Sequence, residues 1–257
     1  MNVGKPGLTR VTWQAGNDSE PTWSPQGDKI AYTRIDGVYV MNADGSGQPE
    51  LLWQGSGRGT TLDPAWSPDG SRIAFAEDVS LYILDVETRQ AVRLTDGTIS
   101  SDSPTWSPDG KRIAFTIRPF LMTPGGGPKG QIAVINTDGS GFTHLTDVGV
   151  DSSVSPCWSP NGKQIAFGRG GNIFIMDVDG TNVRALTHGG WNLSPTWSPD
   201  GTRIAFVSLR NSTCGTSLTD APAFCTSELY VMNADGSNVR LLRSKRNEKI
   251  VTPAWAP

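Results

Sequence analysis

Histidine is nearly absent: the 257 residues contain two, His144 and His188, beside three cysteines. Two histidines cannot supply a three-histidine zinc site. A Ser-His-Asp apparatus would need one of them beside an activated serine, and the chain has no GxSxG elbow. Long apolar runs are missing too. No stretch approaches the length of roughly 20 residues that a membrane-crossing helix needs. The opening MNVGKPGLTR lacks the apolar core of an export signal. The chain is then either cytosolic or an exported protein whose signal was replaced by a start Met, and the cysteines favour the second. A basic excess is missing: 22 Lys and Arg face 25 Asp and Glu, and the net charge of −3 argues against a nucleic-acid partner. Helical periodicity is missing from every longer segment.

What the chain has in quantity is glycine (30), proline (18) and one repeated string. PTWSP, PAWSP, PTWSP, PCWSP, PTWSP and PAWAP carry Trp23, Trp66, Trp106, Trp158, Trp197 and Trp255. Their spacings of 43, 40, 52, 39 and 58 residues describe a unit near forty residues, so the fold repeats. In the third unit, Pro104 to Ser107 reads as a short strand and Pro-Asp-Gly as a tight turn. RIAFTI (112–117), QIAVIN (131–136) and FTHLT (142–146) read as three further strands. Ile113 and Phe115 share one face, Ala114 and Thr116 the other, which suits a sheet packed between two others. Four antiparallel strands per unit make a β-propeller blade. The predicted fold is all-β, a single domain over 8–257. Its five complete blades span about 21–53, 63–95, 102–146, 154–187 and 193–243.

The string PxWSPDGxxIAF…IYVMNxDGSxxxxLT resembles the TolB-like propeller repeat, a relative of the WD-type repeat, from Leu8 to Pro257. For fold the resemblance implies the propeller. For function it points several ways: a docking platform for a lipoprotein partner, the non-catalytic propeller of a larger peptidase-type protein, or a pectin-degrading lyase. Fold alone does not choose among them.

The termini pose a separate question. LTRVTW (8–13) aligns with fourth strands and VTPAWAP (251–257) with first strands, so the two ends would share a partial sixth blade. Either strands beyond Pro257 complete it, or five blades close alone and the ends plug the seam. An open blade exposes strand edges, and pairing of two copies through such an edge is one consequence.

Chain direction sorts the loops. The SPDG and NADGS turns share one face; the loops between strands two and three and the blade-to-blade links share the other. Variable loops on a rigid scaffold usually carry function, so the second face is the expected site. Just before the PxW strings lie Asp18, Asp63, Asp102, Asp151 and Asn192, with Glu248 in the last unit. They are expected to ring one mouth of the central tunnel, where they would cap turns, meet a basic partner segment or hold Ca²⁺. Trp191 beside Asn192 would stack on a sugar, grip a peptide or pack on a neighbouring blade. Two insertions share that face. RPFLMTPGGGPKGQ (118–131) exposes Phe120, Leu121 and Met122 as a contact loop or folds them back, and its glycines lack phosphate-loop spacing. The insertion between Leu209 and Ser227 holds Cys214 and Cys225, read as a disulfide in an oxidising compartment. Cys157 is read as a buried free thiol. DVDGTN (177–182) lacks the closing Glu of an EF-hand and reads as a hairpin turn.

The expected function is a non-catalytic scaffold binding a protein or peptide of the cell envelope, without a cofactor, in the periplasm or outside the cell. The alternative is a carbohydrate-active or Ca²⁺-dependent enzyme using the mouth carboxylates.

Overall fold

The computed structural model describes residues 11–12, 18–34, 36–56, 63–119, 129–147, 151–211, 227–243 and 252–257. Among them are five four-stranded antiparallel sheets, each ordered one-two-three-four along the chain, and no helix. Blade one holds Ser19–Trp23, Lys29–Arg34, Gly37–Asn42 and Glu50–Gln54; blade two holds Ala65–Trp66, Arg72–Glu77, Ser80–Asp85 and Ala91–Arg93. Blade three holds Ser100–Trp106, Arg112–Arg118, Gln131–Asn136 and Thr143–His144. Blade four holds Ser153–Trp158, Gln164–Arg169, Asn172–Asp177 and Arg184–Ala185, and blade five Asn192–Trp197, Arg203–Ser208, Glu228–Asn233 and Arg240–Arg243. First strands of successive blades touch one another, which places them innermost.

Blades stack large face on small face. Trp158, Ile165, Phe167 and Met176 of blade four pack on Ala114, Ile132 and Val134 of blade three. The same contact recurs between blades one and two, two and three, and four and five. Phe75, Phe115, Phe167 and Phe206 are all fully buried. The alanine opposite each leaves room for the ring, because face-to-face sheets sit only about 10 Å apart. The alternation read in RIAFTI is therefore the blade interface, and both faces of strand two are buried.

Strand limits depart from the sequence reading at both edges. The first strand of blade three begins at Ser100, not Pro104, because pairing resumes beyond a bulge. In the five blades the residue before the motif proline takes positive φ: Glu20 (50°), Asp63 (34°), Ser103 (52°), Ser155 (52°) and Ser194 (49°). Such a bulge breaks the ladder beside a residue that cannot donate to it, and pairing then continues. The fourth strand of blade three shrinks to Thr143–His144, with Phe142 exposed outside it. Short outer strands leave little edge for a second chain to pair with.

Hairpins on the SPDG face are held by a repeated hydrogen-bond set. Ser107 Oγ donates to Asp109 Oδ1 (2.6 Å), which also accepts the Lys111 amide (3.1 Å), while Arg112 N donates to Ser107 Oγ (2.9 Å). Gly110 closes the turn at φ 68°. The corresponding bonds from serine hydroxyls and turn amides hold the carboxyls of Asp69 and Asp200 down at about 2.

Of the terminal segments, Val11 lies against Gly45 in the blade-one hairpin. Trp255 Nε1 donates to Thr196 O (3.1 Å), and Arg203 lies over its ring. Thr252 to Pro257 forms no strand, so the described residues complete five blades. Phe120, Leu121, Met122, Cys214, Cys225 and Glu248 lie outside the described residues.

Two outcomes follow for stability. Phe167→Ala should cost about 3–5 kcal/mol and Ala166→Leu about 1–3 kcal/mol in urea unfolding, since one empties and the other overfills a blade interface. Asp69 has a folded pKa below its unfolded value, so its contribution is complete above the usual value of 3.8 and lost as pH falls toward about 2. Melting temperature followed from pH 6 to 2 should hold at first, then drop over that acid window, and the drop should be shallower in Asp69→Asn.

Candidate functional site

The residues expected at the tunnel mouth lie at the start of each first strand, opposite the end of strand two. Sequence offset from the motif proline decides the surroundings of each mouth residue. Asp18 and Asn192 stand three residues before it and face the strand-two ends beside Thr33↔Ser19 and Ser208↔Asn192. Asp102 stands two before and pairs across to Thr116. Asp63 stands immediately before, on the bulge itself. Asp151 stands five before, two residues ahead of Ser153, where blade-four pairing begins. The five therefore do not form one level ring.

An arginine meets most of them. Arg34 Nε and Nη2 donate to the two oxygens of Asp18 at 2.8 and 3.3 Å, and its guanidinium lies 4.8 Å from the Tyr39 ring centroid. Arg118 Nη1 pairs with Asp102 Oδ2. Arg210 Nη2 donates to Asn192 Oδ1 (3.1 Å), and the amide of fully buried Asn192 donates to Thr187 Oγ1 (3.0 Å) and Gly189 O (2.8 Å). In blade four Arg169 Nε donates to Ser153 Oγ (2.9 Å) and the guanidinium stacks over Phe167 and Phe174. In blade two Glu77 stands at this position instead, accepting Trp53 Nε1 (2.8 Å) and the Ser56 amide (2.5 Å). The sequence reading missed these arginines, although their signal was present: KIAYTR, RIAFTIR and QIAFGR end strand two with one, and RIAFVSLR places one two residues past it.

Ser103 lies between two carboxylates. Its hydroxyl stands 3.3 Å from Asp63 Oδ2 and 3.0 Å from Asp102 Oδ1, so its one proton serves one at a time, while its amide donates to Asp63 (3.2 Å). Burial pushes the Asp63 carboxyl above the usual value, and the Ser103 bonds offset part of that rise. Burial likewise lowers the pKa of Arg118 and of Arg169, against the opposing pull of Asp63 on the first and of Asp147 and Asp151 on the second.

Asp151 and Trp191 differ from the rest. Asp151 is exposed and, among the described residues, makes no ion pair within 4 Å. Trp191 is 70% exposed, at φ 48°. Its loop is held by Asn192 N to Gly171 O (2.8 Å) and Leu209 N to Trp191 O (3.1 Å). One side of the indole lies against Gly171 of blade four. Among the described residues no three His, Cys, Asp or Glu side chains converge as a metal set. At the opposite end of the axis, Trp23, Trp66, Trp106, Trp197 and Trp255 with Pro25, Pro68, Pro199 and Pro257 line a cavity of about 300 Å³. Cys157 is a free thiol on an inner strand, its pKa raised by burial.

The family model of the TolB beta propeller domain matches residues 53–213. The chain belongs to this family. Among solved structures, this TolB-type propeller is similar to a putative TolB from Agrobacterium tumefaciens, at 24% identity and a TM-score of 0.79, over 96% of this chain and 88% of that one. It is similar to TolB from Acinetobacter baumannii at 24% identity and a TM-score of 0.72, over 96% of this chain and 59% of that one. An oligogalacturonate lyase in complex with manganese shares the fold at 15% identity and a TM-score of 0.57, covering 88% and 65%. No curated protein sequence matches the chain. At these identities the structural neighbours speak for the fold of the TolB-type domain alone.

The two carboxylates around Ser103 should separate in mutagenesis. Asp102→Asn leaves Arg118 without its counter-ion and should cost roughly 1–3 kcal/mol, less than a fully dry pair because Arg118 is partly solvated. Asp63→Asn keeps an acceptor for Ser103 and removes a desolvated charge, so urea unfolding at pH 7 should show no loss or a gain. The raised Asp63 pKa means that its contribution is present below the unfolded value and lost as pH rises through the folded one. Equal losses in both variants would contradict the assignment.

Proposed function

We propose that this TolB-type propeller is a non-catalytic binding scaffold that presents its mouth face to a protein or peptide partner. One observation carries the reading: the two faces are satisfied to different degrees. On the hairpin face, the turn carboxylates of Asp69, Asp109 and Asp200 are bonded by their own turns. On the mouth face, Asp18, Asp63 and Asp102 are likewise held, but Asp151 and Trp191 stand exposed on a braced backbone. Exposed aromatic and charged groups on a rigid support favour recognition over chemistry. The reading extends to an envelope or extracellular location, with Cys214 and Cys225 bridged in an oxidising compartment. It also includes a partial sixth blade. Trp255 bonds Thr196 as Trp106 bonds Ala65, and Val11 meets Gly45 as Leu94 meets Gly139.

Capture from the native host's envelope extract, read by mass spectrometry, tests the scaffold reading. Wild type and the hairpin-face variant Asp138→Lys should retain the same partner, and Asp151→Lys should lose it. Retention by Asp151→Lys would sink the mouth-face assignment.

A second reading is a carbohydrate-active enzyme. It rests on Asp63 and Asp102, two carboxylates reached by one hydroxyl, with the first pushed toward its protonated form. Release of reducing ends from an oligosaccharide panel, lost in Asp63→Asn, would support it; no release by wild type would remove it.

A further inference from the structure

Four of the five mouth positions are consumed by the protein itself. Asp18 is clamped by Arg34, Asp102 by Arg118 and Asn192 by Arg210, and Asp63 is buried against Ser103. Asp151 alone is exposed and outside any ion pair of the described residues. It lies at the blade-four sector that also carries Trp191, the most exposed large hydrophobic side chain described.

The two side chains flank one turn, Gly170–Gly171. A Cβ on Gly170 would stand 2.7 Å from Asp151 Oδ2, and one on Gly171 would stand 3.6 Å from Trp191 Cδ2. Those glycine α-carbons are neighbours, about 3.8 Å apart. The carboxylate and the indole thus border a floor with no side chains of its own. Both glycines take positive φ, 55° and 74°, which suits glycine, and their missing Cβ atoms let the carboxylate and the indole approach the turn this closely. Nearby cations are already engaged. Arg169 bonds Ser153 and stacks on Phe167 and Phe174; Arg210 bonds Ser208 and Asn192 and lies 4.3 Å from the Tyr230 centroid.

We infer that Asp151, Trp191 and the Gly170–Gly171 floor form a subsite for one basic side chain, Lys or Arg, of an extended partner segment. The indole face attracts the cation through its quadrupole and Asp151 supplies the counter-charge. The inference rests on the mouth-face binding reading and names what that face recognises.

The test is NMR of the full chain with an acetylated tetralysine amide, an acetylated tetraglutamine amide and maltotetraose. The Trp191 indole N–H signal is assigned by its loss in Trp191→Phe. Tetralysine should shift it saturably, and the two neutral ligands should not. Trp191→Ala should weaken tetralysine binding by roughly five-fold, Trp191→Phe by less, and Asp151→Asn should flatten its salt dependence. Trp191 is exposed, so the folded spectrum of each variant should persist and serves as the control. A shift by maltotetraose but not tetralysine would overturn the inference in favour of a sugar subsite. No shift by any of the three would overturn it too. In either case, envelope capture lost on Asp151→Lys would leave the mouth-face reading standing; capture retained would remove both.

Discussion

The seating of each blade's large face on the small face of the blade before it governs the rest of this molecule. A phenylalanine ring on strand two can be fully buried only if the facing strand offers alanine, and each IAF or IAY string supplies both halves of that fit. The motif tryptophans extend the contact to the inner edge. Arg72 lies over Trp106, Arg112 over Trp158 and Arg203 over Trp255, so blades two, three and five each grip the tryptophan that follows. Once that stacking is fixed, every first strand faces the axis in one direction. The mouth residues and the hairpin turns then have no choice of face.

That dependence explains what could be read from the sequence. Strands two and three were legible because burial on both sides leaves a strong β-branched and aromatic signature, and the turns because Asp and Gly have fixed roles in them. The outer strands were over-read: Leu94 and Leu186 recur on schedule but fall just past Ala91–Arg93 and Arg184–Ala185, since a strand paired on one side needs little length. The bulge before each proline was not legible. Its only trace is a polar residue at that position in every unit, which a simple turn or link would equally favour.

The site was legible as a location and not as a chemistry. Asp18, Asp63, Asp102, Asp151 and Asn192 share a place in the repeat, yet one to five residues separate them from the proline. Across a bulge, that offset changes what each side chain faces. Asp18 meets an arginine, Asp63 turns into the seam between two blades, and Asp151 falls short of the paired strand and stays in solvent. A sequence offset of two residues therefore separates a clamped carboxylate from an exposed one. The arginines carry no signal of their own because a charged residue at a strand end reads as a solvated terminus, whereas Arg34, Arg169 and Arg210 lie over aromatic rings.

Recognition in such a repeat protein has to come from where the blades differ. PxWSP, the glycine two residues on and the IAF or IAY strands are common to all five and are consumed by packing and turn formation, so they cannot single out a partner. The blades diverge in charge at the sixth position of strand two: Arg34, Glu77, Ile117, Arg169 and Ser208 occupy it in turn. Arg34 binds its mouth aspartate directly, while blade three supplies Arg118 from the next strand position and blade five Arg210 from two residues past Ser208. In blade four Arg169 bonds Ser153 and stacks on the phenylalanines, so Asp151 feels its charge without a direct ion pair, and the glycines at 170 and 171 leave the adjoining surface to Trp191. Asymmetry at one blade of a near-symmetric ring fixes the orientation of anything bound across the mouth, because among the described residues one sector joins an exposed carboxylate outside any direct ion pair to an open aromatic face.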